Sequence, residues 1–417
     1  MFPFFKIIYL ILQGLPQAIL NPFFWMVIFL VWNQYRRAAE MEKKMFGAVK
    51  INPQEKVLYA IFYGCVGGLI GSLVVILLGI SITEAGLIYV WPLALVLMLI
   101  HPHLMCFSYA GGIVSICYLI FGYPKVDVAG LMGLVAVLHL VESTLIYFAG
   151  HINAVPIFMK SERYGIIGGF SLQEFWPVPI MLLTVITAEI PAQALVQMPD
   201  WWPLIRPYSD ILKNPSAIFM MIPVVAALGY GDIALAGTPK ERCRSSAKNL
   251  LAFSLVLLFL SVMASRARFF AYAAALFAPT AHEFLIIYGK KTEKSRKPLY
   301  CRPQQGERVL DVVKGSPAER LGLGPGDIIL SVNGRDILHQ GDLNEVLSQY
   351  PTYIWIAVKK PDGSIKNAEM NAYPQGINSL GAILVPENDD AAYVVMEEAG
   401  FFEWIKRIWR GRRHGSE

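Results

Sequence analysis

The sequence has little charge for its size. Asp, Glu, Lys and Arg make up 16% of the 417 residues, whereas 55% of the residues are apolar. Soluble domains carry about 25% charged residues, so this composition argues against a purely soluble protein. The mean hydropathy of +0.48 points the same way. The composition therefore predicts a membrane protein.

Cysteine patterns typical of metal or disulfide frameworks are also missing. The chain has five cysteines, three of them inside apolar runs, and none is paired at metal-ligand spacing: Cys65, Cys106, Cys117, Cys243 and Cys301. This pattern predicts neither a disulfide framework nor a zinc site. We expect no metal and no cofactor.

Long apolar runs fill the first 289 residues. A helix needs roughly 20 residues to cross a hydrocarbon layer of about 30 Å, and nine runs approach or exceed the required length. They predict a polytopic α-helical membrane bundle over 21–289, with about nine helices. Residues 1–20 are apolar too, but Gly14 and Pro16 interrupt them, so we expect an interfacial or re-entrant segment. The runs are 21–33, 57–80, 86–100, 104–121, 128–150, 175–191, 216–236, 250–264 and 269–289.

Lysine and arginine are distributed unevenly between the loops. The loops 34–56, 101–103, 151–174 and 237–249, with the segment 290–297, contain 17 of them, against five in the alternate loops. Positively charged loops stay in the cytoplasm. The pattern therefore predicts a multi-pass protein of the plasma membrane whose C-terminal part is cytoplasmic.

After a basic linker at 290–300, the pattern changes to short alternating segments with turn signals. "RVLDVV" and "DIILSV" predict strands, and "GDLNEVLSQYP" predicts a helix. Ser316 and Pro317 are suited to begin a short helix, and Asn333-Gly334 and Asp362-Gly363 to form tight turns. Residues 301–390 are therefore predicted to form a small α+β domain.

The stretch "GSPAERLGLGPGDIILSVNG" resembles bacterial PDZ domains. The resemblance implies a groove that binds an extended peptide as an additional strand. The loop expected before "ERVLDVV", whose amides would hold a ligand carboxylate, is replaced by "YCRPQQG", and a similar phrase, "LGAILVP", follows later. Either this late strand completes the groove or carboxylate capture is lost. By position, the groove would be lined by Val309, Leu310, Val312, Leu343, Val346 and Leu347.

Two motifs raise the alternative of an intramembrane protease. "HEFLI" lacks the second histidine of a zinc-binding H-E-x-x-H, because Ile286 stands in its place. "GYGD" matches the short motif of aspartyl proteases, but no second aspartate is expected at the depth of Asp232. His101 and His103 could bind a metal ion, but no third ligand is near in sequence, which favours a structural role.

Ionisable residues at membrane depth are costly and mark candidate functional positions. Pairing with each other or with interfacial groups would give them a packing role, whereas proton or solute transport is the alternative. No internal repeat supports a transporter. Two G-x-x-x-G patterns in "GCVGGLIGS" favour close packing within the bundle. The candidate residues are His139, Glu142, Glu189, Asp232, His282 and Glu283.

The C-terminal segment 391–417 predicts a basic amphipathic helix. Its aromatic and apolar face and its basic face suit the surface of an anionic membrane, and docking to an acidic protein groove is the alternative. The residues concerned are Phe402, Trp404, Ile405, Trp409, Lys406 and Arg407. Nothing in the sequence indicates nucleic-acid binding.

The architecture as a whole resembles the MinJ-type membrane PDZ proteins of Gram-positive bacteria. The likeness rests on "NPFFWMVIFLVWNQYRR", "GYGDIALAGTPKERCRSSAKNLL", "AHEFLIIYG" and the PDZ segment. It implies a non-catalytic scaffold that recruits cytoplasmic partners, such as division-site or polar scaffold proteins, through the PDZ domain. The chain is accordingly expected to help place the division site.

Overall fold

The computed structural model describes residues 2–47, 49–83, 85–161, 163–188, 195–206 and 216–386. The N-terminal part, here called the body, extends to the end of the eighth helix and combines helices with three strands. Its helices are α1 (Phe4–Leu20), α2 (Pro22–Phe46), α3 (Pro53–Leu78), α4 (Leu87–Ile100), α5 (Phe107–Phe121), α6 (Val128–Ala149), α7 (Pro239–Ala264) and α8 (Arg268–Ser295). A short 3-10 turn, Pro102–Met105, joins α4 to α5.

Two of the predicted helices are strands, so the prediction of helices at 175–191 and 216–236 was wrong. The sheet of the body consists of β1 (Val155–Ser161), β2 (Gly165–Thr187) and β3 (Ala217–Ala234), in the order β1-β2-β3 and antiparallel throughout. Periodicity does not separate a buried strand from a buried helix segment. Pro177 and Pro179 at alternate positions disfavour a helix and suit a strand edge that lacks a partner strand.

The edge of β2 beside α3 is satisfied without a further strand. Pro177 and Pro179 have no N–H there, and the N–H of Met181, two residues on, donates to Ser72 Oγ over 2.8 Å. Beyond it, the Leu183 carbonyl accepts from Ile82 N (2.8 Å) and Val185 N donates to Thr83 Oγ1 (2.7 Å). Irregular or unpaired backbone at membrane depth is tolerated only where protein covers it, and α3 supplies that cover.

The glycines of α3 make this contact possible. A Cβ at Gly64 or Gly68 would collide with the backbone oxygen of Pro177 or Pro179. Four helical residues rise about 6 Å, and two strand residues rise about 6.7 Å, so a four-residue repeat on α3 stays in step with alternate residues of β2. The G-x-x-x-G pattern of Gly64 and Gly68 therefore packs within the body, against a strand.

Helices α4 and α5 form a hairpin that enters and leaves the body on one side. Its two ends meet, because a Cβ at Gly86 would collide with Val126, and the Tyr89 and Tyr123 rings lie 6.2 Å apart. Its tip, at 101–106, reaches His139, half way along α6. With 14 and 15 residues, both helices are shorter than a full span. The hairpin is re-entrant in shape.

Among the described residues, four helices are long and apolar enough to cross a membrane: α3, α6, α7 and α8. The number rises to five if α1 and α2, which meet at 65°, form one broken span. The segments 49–52, 151–174, 235–238 and 296–300 approach one another at the end of the body that contacts the C-terminal domain. These segments belong to the predicted lysine- and arginine-rich set.

The C-terminal domain has the predicted α+β pattern. It contains β4 (Glu307–Val312), α9 (Pro317–Arg320), β5 (Ile328–Val332), β6 (Arg335–Asp336), α10 (Gln340–Ser348), β7 (Tyr353–Lys359), β8 (Ile365–Asn371) and β9 (Ala382–Leu384). The sheet order is β8-β7-β5-β4-β9, with β6 paired to β5. As expected, Ser316 caps α9 by accepting from Glu319 N over 3.3 Å, and Pro317 is its first residue.

Candidate functional site

The late strand β9 completes the edge of the C-terminal sheet. It pairs antiparallel with β4 over Ala382–Leu384, and two further bonds frame the pairing: Val313 N to Gly381 O (2.9 Å) and Val385 N to Arg308 O (3.0 Å). Among the described residues, β4 is its only neighbouring strand. Of the two arrangements that the sequence left open, the structure has the one in which "LGAILVP" supplies a sheet edge.

The free edge of β9 has the features needed to accept a peptide strand. Gly381 O and Val385 N face β4, so by alternation the polar backbone groups of Ala382 and Leu384 face outward. The preceding loop is fixed by the bond from Ala318 N to Leu380 O, of 2.8 Å. Gly381 has φ +68°, and its neighbour Leu380 is buried. The carboxylate-binding loop was expected before the first strand of the domain and is missing near residue 305. The loop at Leu380 and Gly381 instead precedes β9, which forms the edge of the sheet.

The predicted groove residues divide into two groups. Five of them belong to the apolar cluster of the C-terminal domain: Val309, Leu343, Val346 and Leu347 are buried in it, and Val312 packs against it. Leu310 points the other way, into the core of the body. Alternation places Val309 and Leu310 on opposite sides of β4. The bulge between Val309 and Asp311 then shifts the alternation, so that Val312 faces the same side as Val309.

Leu310 and Tyr300 attach the C-terminal domain to the body. Both are fully buried, and both lie against Gly168, where a Cβ would stand 2.7 Å from Leu310 Cδ1 and 3.1 Å from Tyr300 Cβ. Gly168 N also donates to Tyr300 O over 2.8 Å. Burial, followed by the charge of Asp311, raises the pKa of the Tyr300 hydroxyl above its ordinary value. The two side chains are therefore closely packed against the body and shielded from water.

An ion pair reinforces this attachment. Lys50 Nζ lies 2.9 and 2.7 Å from the two carboxylate oxygens of Asp311. The Asp311 side chain is only 3% exposed and that of Lys50 is 34% exposed. A charge-assisted contact of this kind fixes orientation as well as adding energy. The domain is thus held in one orientation on the body, through the loop between α2 and α3.

Asp232, a predicted intramembrane candidate, is fully engaged. It accepts from Arg242 Nε and Nη2, each at 2.9 Å, and from Ser246 Oγ at 2.9 Å. Arg242 Nη1 also lies 3.5 Å from Glu293, whose Oε1 accepts from Leu235 N over 2.6 Å. The bidentate geometry ties β3 to α7 and α8, which is the packing role expected of a paired acid.

Four other candidates, His139, Glu142, His282 and Glu283, lie on α6 and α8. His139 and His282 meet at the tip of the re-entrant hairpin, with ring centroids 5.1 Å apart. Glu142 lies one turn further along α6. Glu283 accepts from Tyr109 and lies 3.2 Å from His103. Glu189 and the predicted tail residues Phe402, Trp404, Ile405, Trp409, Lys406 and Arg407 lie outside the described residues.

Sequence reasoning missed the surroundings of two polar side chains, the buried Glu174 and the half-buried Cys106. Glu174, only 1% exposed, accepts from Tyr35 (3.0 Å) and from Asn153 Nδ2 (2.9 Å), which joins β2 to α2. Cys106 lies between the two histidines. The sequence signal for Glu174 was a lone acidic residue within an apolar segment. No local sequence signal marked Cys106, because the two histidines that it contacts are 33 and 176 residues away.

An apolar body docked to a small domain of the protein-interaction type fits a membrane protein that carries an interaction module. A PDZ-domain family model matches residues 308–349. In a search of solved structures, the chain is similar to the PDZ domain of an SdrC-like protein from Listeria monocytogenes, with 19% identity and a TM-score of 0.18; the match covers 20% of this chain and 90% of that one. The C-terminal domain is a PDZ domain.

Similarity to curated proteins extends through the body as well. The chain is 24% identical over 399 residues to the cell division topological determinant MinJ of Bacillus subtilis, covering 91% of this chain and 96% of that protein. It is also 24% identical over 197 residues to a probable MinJ of Lacticaseibacillus paracasei, covering 45% of this chain and 53% of that one. The chain is thus a MinJ-like protein with a PDZ domain, as its sequence resemblance indicated.

Proposed function

We propose that this chain is a non-catalytic membrane adaptor that recruits cytoplasmic proteins to the division site by adding their peptide segments to β9. The observation that carries the proposal is the outward-facing edge of β9 in a domain fixed to the body. Support also comes from the MinJ-like character of the chain, since the Bacillus subtilis relative is described as a topological determinant of division.

Rigid docking of the PDZ domain gives the large body a role that a single transmembrane helix would not fill. The Lys50–Asp311 pair and the contact of Leu310 with Gly168 hold the PDZ domain in one orientation. A fixed edge strand presents its partner at a fixed angle to the membrane and reduces the entropy lost on binding. The body therefore acts as a platform for the groove.

The cytoplasmic side is inferred from charge. The lysine- and arginine-rich segments surround the PDZ attachment, and such segments remain in the cytoplasm. The β2–β3 hairpin crosses the body and returns, and the hairpin of α4 and α5 enters and leaves the body on one side. Each hairpin therefore ends on the side of the membrane on which it began. The multi-pass topology and the inward-facing PDZ domain are part of the proposal.

A proline substitution tests the groove. Leu384→Pro removes an outward-facing N–H of β9 without removing a bond to β4. In cells that express the full chain, we expect proximity labelling to lose a defined set of division proteins and the protein to lose its function in site placement. Asn367→Pro is the matched control, since this residue of β8 has its N–H on the opposite free edge.

Both variants must first accumulate in the membrane with a protease-resistant PDZ domain. An unchanged set of labelled proteins in Leu384→Pro would rule out strand addition at β9. Equal losses in Leu384→Pro and Asn367→Pro would also contradict the proposal, because the effect would then not depend on which edge is blocked.

A further inference from the structure

We propose that Cys106, His139 and His282 form a binding site for one zinc-type transition-metal ion at the tip of the re-entrant hairpin. The three side chains come from the start of α5, the middle of α6 and the second half of α8. Their ligand atoms all lie within 4.8 Å of one another. The site is separate from the PDZ groove and does not depend on its function.

The distances fit a tetrahedral ion. Cys106 Sγ lies 3.1 Å from His139 Nε2 and 3.7 Å from His282 Nε2. Bond lengths of about 2.3 Å to sulfur and 2.0 Å to nitrogen place these atoms about 3.5 Å apart around tetrahedral zinc. These two distances bracket that value, and no two of the three ligand atoms are more than 4.8 Å apart.

Each histidine has its other ring nitrogen fixed. His139 Nδ1 lies 2.7 Å from the Val135 carbonyl, which can only accept, so Nδ1 carries the proton. Tyr109 donates its hydroxyl hydrogen to Glu283 Oε2 and thus accepts from His282 Nδ1 at 3.3 Å. Both Nε2 atoms therefore direct lone pairs at the sulfur. Metal-binding histidines are typically oriented in this way, by a carbonyl or through a carboxylate.

Without an ion, the three atoms do not share enough protons. The thiol can donate one hydrogen, and Ser108 Oγ, 3.3 Å from His139 Nε2, can donate another. If the thiol serves His139, no hydrogen lies between the sulfur and His282 Nε2. If it serves His282, the sulfur and His139 Nε2 stand 3.1 Å apart with no hydrogen between them. His139 is 3% exposed, so water relieves little of this repulsion. A cation satisfies all three atoms together.

The donors define the class of ion. One thiolate and two imidazoles suit Zn²⁺, Co²⁺ and related borderline-soft ions, and do not suit Mg²⁺ or Ca²⁺. The start of α5 also favours negative charge on the sulfur, since Ser108 N points at Cys106 Sγ from 3.4 Å. Binding would fasten the hairpin tip to α6 and α8 at about half their depth.

Metal binding by the purified, tag-free full-length protein in detergent tests the site. We expect about one zinc per chain by elemental analysis, and Co²⁺ to give a thiolate-to-cobalt charge-transfer band. Cys106→Ser should abolish the band and lower zinc affinity at least tenfold. Cys117→Ser, a change at a cysteine within α5 that is also half-buried, should alter neither. Tyr109→Phe should keep the band and lower the affinity about tenfold, since Tyr109 only positions His282.

A measurement on the unmodified chain covers the case in which Cys106→Ser does not insert. Zn²⁺ should slow alkylation of Cys106 by a membrane-permeant maleimide more than tenfold and leave Cys117 unaffected. Equal alkylation of Cys106 with and without Zn²⁺, or zinc binding that is unchanged in a folded Cys106→Ser variant, would overturn the proposal.

Discussion

Glycine has different tasks in the body and in the PDZ domain. In α3, the glycines approach other elements so closely that a Cβ has no room. Gly64 and Gly68 meet the backbone of β2, Gly67 meets side chains of α6, and Gly71 meets side chains of both α6 and β2. In the PDZ domain, Gly334 and Gly363 have open space around them but positive φ angles, of +78° and +86°. The same residue type allows close approach in one region and tight turns in the other.

The difference indicates where each region derives its stability. The body depends on backbone surfaces brought into contact over long sequence separations, which leaves almost no tolerance for added volume. The PDZ domain depends on a small side-chain core whose connections need particular backbone angles. Substitutions of glycine should therefore have larger effects in α3 than in the turns.

The largest effect is expected for Gly68→Ala. The new methyl group would collide with the carbonyl of Pro179, so α3 and β2 must separate. We expect a loss of about 2–3 kcal/mol in the free energy of unfolding, measured by denaturant titration of the purified protein. Gly231→Ala is the control, because a Cβ on that residue of β3 meets no atom within 4 Å. Similar losses for the two variants would contradict the packing argument.

The same contrast explains how much the sequence could predict. In the PDZ domain, local signals such as Ser316, Pro317 and the Asn333-Gly334 pair marked each element, and the structure confirms them. In the body, "FWPVPIMLLTVITAEIP" was predicted as a helix because hydropathy measures burial and not backbone conformation. The alternation of Pro177 and Pro179 was the local clue that a strand runs there.

The candidate sites show the same contrast between local signals and long-range contacts. Helix α10 was correctly located by its pattern "GDLNEVLSQYP". The position of Leu310 was not predicted, because it depends on contact with Gly168, 142 positions earlier in the chain. The meeting of Cys106 with His139 and His282 was beyond local patterns for the same reason. Contacts between distant segments are decided by packing, which composition and spacing do not encode.

A middle-sized effect is expected where the two regions meet. Asp311→Asn removes the charge that Lys50 binds at 2.7 Å, and bonds to charged groups contribute about 1.5–3 kcal/mol. Because Lys50 is partly exposed, we expect about 1–2 kcal/mol. Hydrogen exchange should then speed up roughly tenfold at the docking amides of Gly168 and Leu299, which bond across the junction.

Glu345→Gln is the control for the junction. Its partner Arg335 lies 2.7 Å away, but both side chains are about half exposed, and exposed pairs contribute little. Exchange at the docking amides should stay unchanged in this variant. If Asp311→Asn leaves those amides equally protected, the ion pair does not hold the domain in place.

The smallest effect should come from the turn between β5 and β6. Asn333 and Gly334 both have positive φ, of +51° and +78°, as the tight turns of hairpins require. Gly334→Ala should cost about 1 kcal/mol, at the lower end of the range for left-handed strain, seen as faster hydrogen exchange in β5. Gly334→Asn should cost less, since asparagine tolerates this conformation. Equal losses for alanine and asparagine would mean that Gly334 is needed for its lack of a side chain and not for its backbone angle. The contrast with Gly68 would then disappear.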